Sequence, residues 1–427
     1  MSNEAYLKKV DQDYIVKTPG SARIAKEVAP KYTPGGDYRA MVWWDPYPIT
    51  MERGEGAYLV DVDGNKYLDF AQNWSATVLG NSPEPVVNAI ADTVKKQGLA
   101  MAAPTESVYE WAKILCDRLP AVDKIRFSCS GSEACMFAVR TARGYNGKQK
   151  IVKLEGGFHG MYDGVHGQVG FGPWPPGLPK ALLQDTIMVP ANNIEETKKR
   201  ILAEKDEIAC VIVEAVLGAG GVIAIDKEYL QMIREVTREN NIVMILDEVV
   251  TFRLAPGGAQ EIHGIDPDIT TLGKAMTGGV PGGAWGGKAE IMDAVFTPTH
   301  EDRVYHSGTF VASPIGAAAG VAALKEMTRE ELDRINALGD QLAEGMTKTF
   351  ADNGIYCQVT GIGSVRQLQW RKEPLRSGDD YNDQAYALKN IFHKIMLTKG
   401  FYVSERNLLL ISTPMGQAEV DATLKAA

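Results

Sequence analysis

The sequence predicts an α/β protein: a large, mostly parallel sheet crossed by helices, with a smaller α+β domain. Three observations carry this expectation. From about residue 85 to 312, short apolar runs alternate with longer amphipathic stretches, the pattern of parallel strands joined by crossover helices. The apolar runs are rich in β-branched residues and bounded by charges or turn residues, as buried strands are. The residues that follow these runs are chemically distinctive: Ser-Cys-Ser-Gly-Ser at 128–132, Glu-Gly-Gly-Phe-His-Gly at 155–160, Glu214, and Asp247-Glu248. Sheets of this kind bind ligands outside the carboxyl ends of their strands.

In chain order, 54–70 reads as a hairpin, two alternating apolar runs flanking the turn Asp63-Gly64-Asn65. Buried strands are expected at 125–128, 151–154, 187–189, 208–213 and 242–246, with a further apolar strand at 269–272. The segment 170–179 is too rich in Pro and Gly for a regular element and reads as a loop. An Ala-rich helix is expected at 315–327, a second helix from 329 to 353, and strands of a smaller lobe within 356–370 and 401–413. The expected domains are an N-terminal segment at 1–84 packing with the small domain, a large domain at 85–312, and a C-terminal small domain at 313–427.

Composition narrows the function. The chain has 427 residues, 45% of them hydrophobic and 23% charged, enough to bury a large core. A net charge of -9 argues against a nucleic-acid partner and leaves small molecules as the expected ligands. The five Cys residues stand without C-x-x-C spacing, so neither a disulfide framework nor a metal site is expected. Apolar runs such as 208–213 fall far short of the roughly 18 residues needed to span a bilayer, so a cytoplasmic protein without a membrane partner is the expectation.

Three motifs carry chemistry. Ser130-Gly131-Ser132-Glu133 follows a strand and opens a helix, aiming backbone N–H groups at an anion such as a phosphate; an ordinary Ser N-cap is the alternative. Asp247 ends an apolar run, where an ionised carboxylate is costly unless it meets a cation. A protonated pyridine nitrogen would serve, as would Arg, Lys or a set of backbone N–H groups. Lys274 stands between an apolar strand and a Gly-rich turn, a setting for a Schiff-base amine, with a surface lysine as the alternative. One ligand with a phosphate, a ring nitrogen and an aldehyde unites all three: pyridoxal 5'-phosphate (PLP). A nucleotide loop would need the G-x-x-x-x-G-K-[ST] spacing, which 130–132 lacks.

The ordered set 54–70, 128–143, 156–160, 213–216, 246–249, 271–274 and His306-Ser-Gly-Thr309 resembles the class III aminotransferases, fold-type I PLP enzymes, over nearly the whole chain. The resemblance implies that Ser130, Gly131 and Ser132 hold the phosphate and that Phe158 stacks on the ring, with His159 beside it. It further implies that Asp247 pairs with the ring nitrogen, that Val249 lies on the opposite ring face, and that Glu214 sits beside the cofactor. Lys274 would carry the Schiff base and move the proton. Thr309 would reach the phosphate of a neighbouring subunit's cofactor, implying a homodimer. Phe158 and Val249 as core, His159 as a satisfied loop histidine and Glu214 as a strand-end cap are the alternatives. The chain departs from the pattern at Cys129, Ser132 and Ala215.

The implied reaction is transamination between an amino acid and an oxo acid. Arg39, in Gly35-Gly-Asp-Tyr-Arg39, and Arg406, in Val403-Ser-Glu-Arg406, resemble the carboxylate-binding arginines of β-amino-acid aminotransferases and related enzymes. Either could instead serve a salt bridge. Asp247 to Gly258 looks like the β-phenylalanine type, which favours a β-amino donor with 2-oxoglutarate or pyruvate as acceptor; a glutamate-1-semialdehyde aminomutase or an epimerase is the alternative. Trp43, Trp44 and Trp74 are candidates to line the substrate side, or to be core.

Overall fold

The structure is a computed structural model that describes residues 3–167, 176–377, 380 and 386–427. Most of the loop expected at 170–179 therefore lies outside the described residues. The chain divides into two units, one built from 84–333 and 375–381, the other from 1–83, 334–374 and 382–427. The helix Pro314–Glu326, which a boundary at 313 would assign to the C-terminal domain, falls in the first of these units.

The larger unit is organised by a seven-stranded sheet in the order Lys124–Ser128, Gly283–Gly287, Ile269–Gly273, Val243–Asp247, Ile208–Glu214, Lys150–Leu154, Thr186–Val189. Every neighbouring pair is parallel except the two that involve Gly283–Gly287. The fold class read from the sequence is thus the one observed, and each expected strand falls within about two residues of its place. The interior strand Ile208–Glu214 is buried at every residue, as a strand covered on both faces must be. Alternate residues feed two cores. Val211, Val213, Met244 and Leu246 pack with Leu230, Ile233 and Val236 of the helix Lys227–Glu239. Ile212 and Ile245 pack with Phe137, Ala138 and Ala142 of the helix Gly131–Asn146 and with Trp285. Full burial of each larger apolar side chain contributes about 1.5–3 kcal/mol.

The strand Gly283–Gly287 has no counterpart in the sequence reading. Its glycines are demanded by close backbone approach rather than by apolar periodicity. A Cβ on Gly283 would lie 2.3 Å from the Ser130 carbonyl oxygen, and one on Gly287 would lie 2.1 Å from that of Asp268.

The other unit holds a four-stranded sheet of Met51–Glu55, Tyr58–Asp61, Lys66–Asp69 and Phe401–Tyr402, and a three-stranded sheet of Gln358–Ile362, Val365–Gln369 and Leu408–Leu410. The expected hairpin is present. Oδ1 of Asp61 accepts the N–H groups of Asp63 (3.0 Å) and Asn65 (2.8 Å), closing the turn from inside. Trp44 is core, with its indole edge-on to His393 at 5.0 Å. Among the described residues no helix is long and apolar enough to cross a membrane.

Candidate active site

Strand register in the larger unit sets the site. Asp247 pairs with Glu214 on one neighbouring strand and with Thr271 on the other, so the three side chains form a row across the carboxyl ends of adjacent strands. Lys274 follows directly on the strand Ile269–Gly273, with φ of 50°, in the left-handed region that costs a non-glycine residue about 1–3 kcal/mol and recurs at functional sites. The Thr277 hydroxyl donates to the Lys274 carbonyl at 2.8 Å and braces this turn.

Asp247 is 3% exposed and accepts from four groups. Its Oδ1 takes the Val249 N–H and the Thr271 hydroxyl, each at 3.0 Å. Its Oδ2 faces His159 Nδ1 at 2.8 Å and the Cys135 thiol at 3.3 Å. Burial pushes the carboxyl up, but the hydrogen bond and charge of His159, with the Val249 N–H and the thiol, outweigh it and hold Asp247 below the usual carboxylate range. Glu214 goes the other way. Burial raises it, and the neighbouring Asp247 adds to the rise, against the opposing influence of His159 and two backbone N–H groups. Those N–H groups belong to Phe158 (2.8 Å) and Gly218 (2.9 Å), so Glu214 does cap the strand exit, and in doing so it anchors the turn that carries Phe158. Sites that push adjacent carboxyls in opposite directions are candidates for proton chemistry.

The phosphate motif opens the helix Gly131–Asn146. Ser130 is its N-cap, its Oγ accepting the Glu133 N–H at 3.2 Å, while the Glu133 carboxylate takes the Cys129 N–H at 2.7 Å. The capping alternative therefore accounts for the Ser130 side chain; the first N–H groups of the helix still project from its end. Ser132 Oγ accepts the Met161 N–H at 3.3 Å, linking the helix start to the end of the 156–160 turn. A Cβ on Gly131 would crowd Val249, lying 3.0 Å from both of its methyls, so any side chain there would have to push Val249 aside. Thr309 is exposed.

Two buried groups beside this row carry no role in the sequence reading. Cys135 lies on the buried face of the helix, and the only signal for it is apolar periodicity. Lys153, fully buried in the strand Lys150–Leu154, gives its ammonium to the carbonyls of Gly157 (3.1 Å), Val165 (2.9 Å) and Gly167 (2.8 Å), tying the Phe158 turn to the segment after it. Burial pulls Lys153 down to about 8. The Cys135, His159 and Asp247 side chains lie within 4.8 Å of one another, but the 2.8 Å separation of Nδ1 and Oδ2 is a hydrogen bond, so they form a donor cluster around a carboxylate.

In the other unit, Gln72, Asn73, Trp74 and Ser75 all have positive φ, between 43° and 75°, making one left-handed turn. Asp69 Oδ1 holds its start by accepting the N–H groups of Ala71 (3.1 Å) and Gln72 (2.9 Å). Arg39 donates from Nη1 to Asn73 Oδ1 at 2.8 Å, and the Arg406 guanidinium lies over the Trp74 ring at 5.9 Å. The two candidate arginines thus meet consecutive residues of one strained turn. Asn73 is a residue the sequence reading does not single out.

The larger unit's residues suit PLP. A glycine packed tightly against Val249 opens the helix at the phosphate motif, an ionised and fully oriented carboxylate stands in the row, and a lysine in a strained turn follows the adjacent strand. The comparisons agree. The aminotransferase class-III family pattern matches residues 40–404. Glutamate-1-semialdehyde 2,1-aminomutase of Persephonella marina is 38% identical over 94% of this chain and 96% of its own. An omega-transaminase from Sphaerobacter thermophilus superposes with a TM-score of 0.92 at 35% identity, covering 96% of this chain and 97% of that one. A β-phenylalanine aminotransferase from Variovorax paradoxus gives 0.93 at 31% identity, covering 100% and 96%. The chain belongs to the class III aminotransferase family, PLP-dependent enzymes of the transaminase class built on the fold-type I architecture.

Proposed function

We propose that the protein transfers an amino group from a carboxylate-bearing amine, a β-amino acid, to a 2-oxo acid such as 2-oxoglutarate or pyruvate in two half-reactions. The observation that carries the substrate class is the pair Arg39 and Arg406, each engaged with the turn 72–75 through Asn73 and Trp74. Two guanidinium groups supported by one rigid turn suit a carboxylate, which Arg recognises with both N–H arms.

When bound, PLP supplies the electron sink. Ser130, Gly131 and Ser132 would hold its phosphate, Phe158 and Val249 would contact its ring, and His159 and Glu214 would stand beside it. Asp247, kept ionised by its donors, would hold a proton on the ring nitrogen. Lys274 would hold the cofactor through its amine and, with that amine free, would move the proton at the substrate carbon. Thr309 of the partner subunit would complete the phosphate contacts in a homodimer, a reading its exposure supports.

An aminomutase acting within one molecule is the second reading, favoured by the curated relatives at 38% and 39% identity that bear that name. The test is a half-reaction screen with β-amino acids, ω-amino acids and glutamate-1-semialdehyde, reading loss of the visible band of lysine-bound PLP. Release of an oxo product with net amino transfer supports the transaminase. Isomerisation without transfer supports the mutase. For the arginines, Arg39→Ala is expected to raise KM for amino acids roughly ten- to a hundredfold, the worth of a charged hydrogen bond, while leaving the corresponding amines unaffected. Equal effects on both would remove Arg39 from the carboxylate role.

A further inference from the structure

The four donors on Asp247 fill it. A carboxylate offers about four lone-pair positions, and these are taken by Val249, Thr271, His159 and Cys135. A ring N–H would be a fifth donor, so one of the four must yield.

The four differ in what yielding costs. The Val249 N–H is fixed by the backbone immediately after the strand and lies 3.0 Å from Oδ1. The Thr271 hydroxyl, on the neighbouring strand, sits in register with Asp247. His159 Nδ1 makes the shortest of the four contacts, at 2.8 Å, and its other nitrogen, Nε2, has no partner among the described residues, so a rotated ring gains nothing in return. The Cys135 thiol is different. An S–H group is a weak donor, its distance to Oδ2 is the longest at 3.3 Å, and it already lies 3.5 Å from Thr271 Oγ1. The Thr271 proton is committed to Asp247, which leaves the lone pairs of that hydroxyl free to accept. Among the described residues the thiol is the one donor of the four with a second oxygen acceptor within reach, since the Thr271 hydroxyl could turn only toward the Cys135 sulfur, a weak acceptor. Burial, reinforced by the charge of Asp247, raises Cys135 well above the ordinary thiol range, so it stands as S–H, a donor rather than a thiolate.

We propose that Cys135 is a positioning residue for Asp247 whose thiol is the exchangeable donor of the cluster. It orients the carboxylate in the free enzyme and passes to Thr271 Oγ1 when the ring N–H takes its place on Oδ2. No bond other than hydrogen bonds changes, and no proton is transferred. The inference rests on the assignment of Asp247 to the ring nitrogen.

The test reads the thiol directly. Infrared spectra in the S–H stretching region are recorded for the full chain stripped of cofactor and reloaded with PLP, for wild type, Cys135→Ala and Cys135→Ser. Serine keeps a donor in place, so at least one variant without the thiol retains the packing. The expected result is a wild-type S–H band that moves to higher wavenumber on loading, as a hydroxyl replaces a carboxylate as acceptor, and that is missing from the difference spectra of both variants. A band that does not move, or a shift that survives in the variants, overturns the proposal while leaving the cofactor assignment intact. The visible absorbance of the same samples reports that assignment separately: a wild type that develops no visible band with PLP removes both.

Discussion

Replacing Asp247 by Asn isolates the charge of the carboxylate from its shape. The amide oxygen still accepts from the Val249 N–H and the Thr271 hydroxyl, now at 3.0 Å from Oδ1. The amide nitrogen turns toward His159, whose ring accepts it in the other tautomer, and toward Cys135. Packing is conserved, and the thermal midpoint of the apoprotein should change little. What disappears is the buried negative charge. Removing one member of a buried ion pair typically costs about 3–5 kcal/mol, and at about 1.36 kcal/mol per tenfold this amounts to roughly two to four powers of ten in the rate of the half-reaction. The assay is single-turnover loss of the visible band on mixing PLP-loaded enzyme with an amino donor, with cofactor occupancy measured in the same sample. Wild-type turnover in a fully loaded Asp247→Asn variant would refute the assignment of the ring nitrogen to this carboxylate.

Lys153→Met strips three carbonyls of the donor they share, and each unsatisfied buried group costs about 1–3 kcal/mol; the variant should melt several degrees lower and release PLP faster, whereas unchanged dissociation would show that the Phe158 turn needs no such tie. His393 is fully buried, donates to the Val403 carbonyl at 2.8 Å, and is pushed by burial down to about 4 from an ordinary value of 6.5. Between those values the unfolded chain binds a proton that the folded one does not, so stability falls as pH drops from about 6.5 to 4, by about 3 kcal/mol. Burial holds His306 down to about 4 as well, so urea melts across that window should show a smaller loss in His393→Gln than in wild type, not its absence; parallel curves would contradict it.

The sequence carries most of the larger unit in legible form, because a buried parallel strand has to be a run of β-branched residues and its end is where polar chemistry appears. Asp247, Glu214 and Lys274 are conspicuous for that reason: each is a charge placed against an apolar run. Thr271, Cys135 and Lys153 are harder to read. A threonine at a strand end is ordinary, a cysteine on a helix face reads as core, and a lysine inside a strand is informative only once three carbonyls are seen around it. The strand Gly283–Gly287 escapes any periodicity argument because close backbone approach, not side-chain burial, chooses its residues. The left-handed turn 72–75 is hidden for a related reason, since neither Gln, Trp nor Ser announces a positive φ and Asp69 enforces it from outside the turn.

Lys274 is the residue we propose to carry the cofactor. Borohydride reduction of the PLP-loaded protein, followed by mass spectrometry of its peptides, tests it most directly. A phosphopyridoxyl group on Lys274 is the predicted result, and its absence there, or its presence on another lysine such as Lys153, would contradict the account.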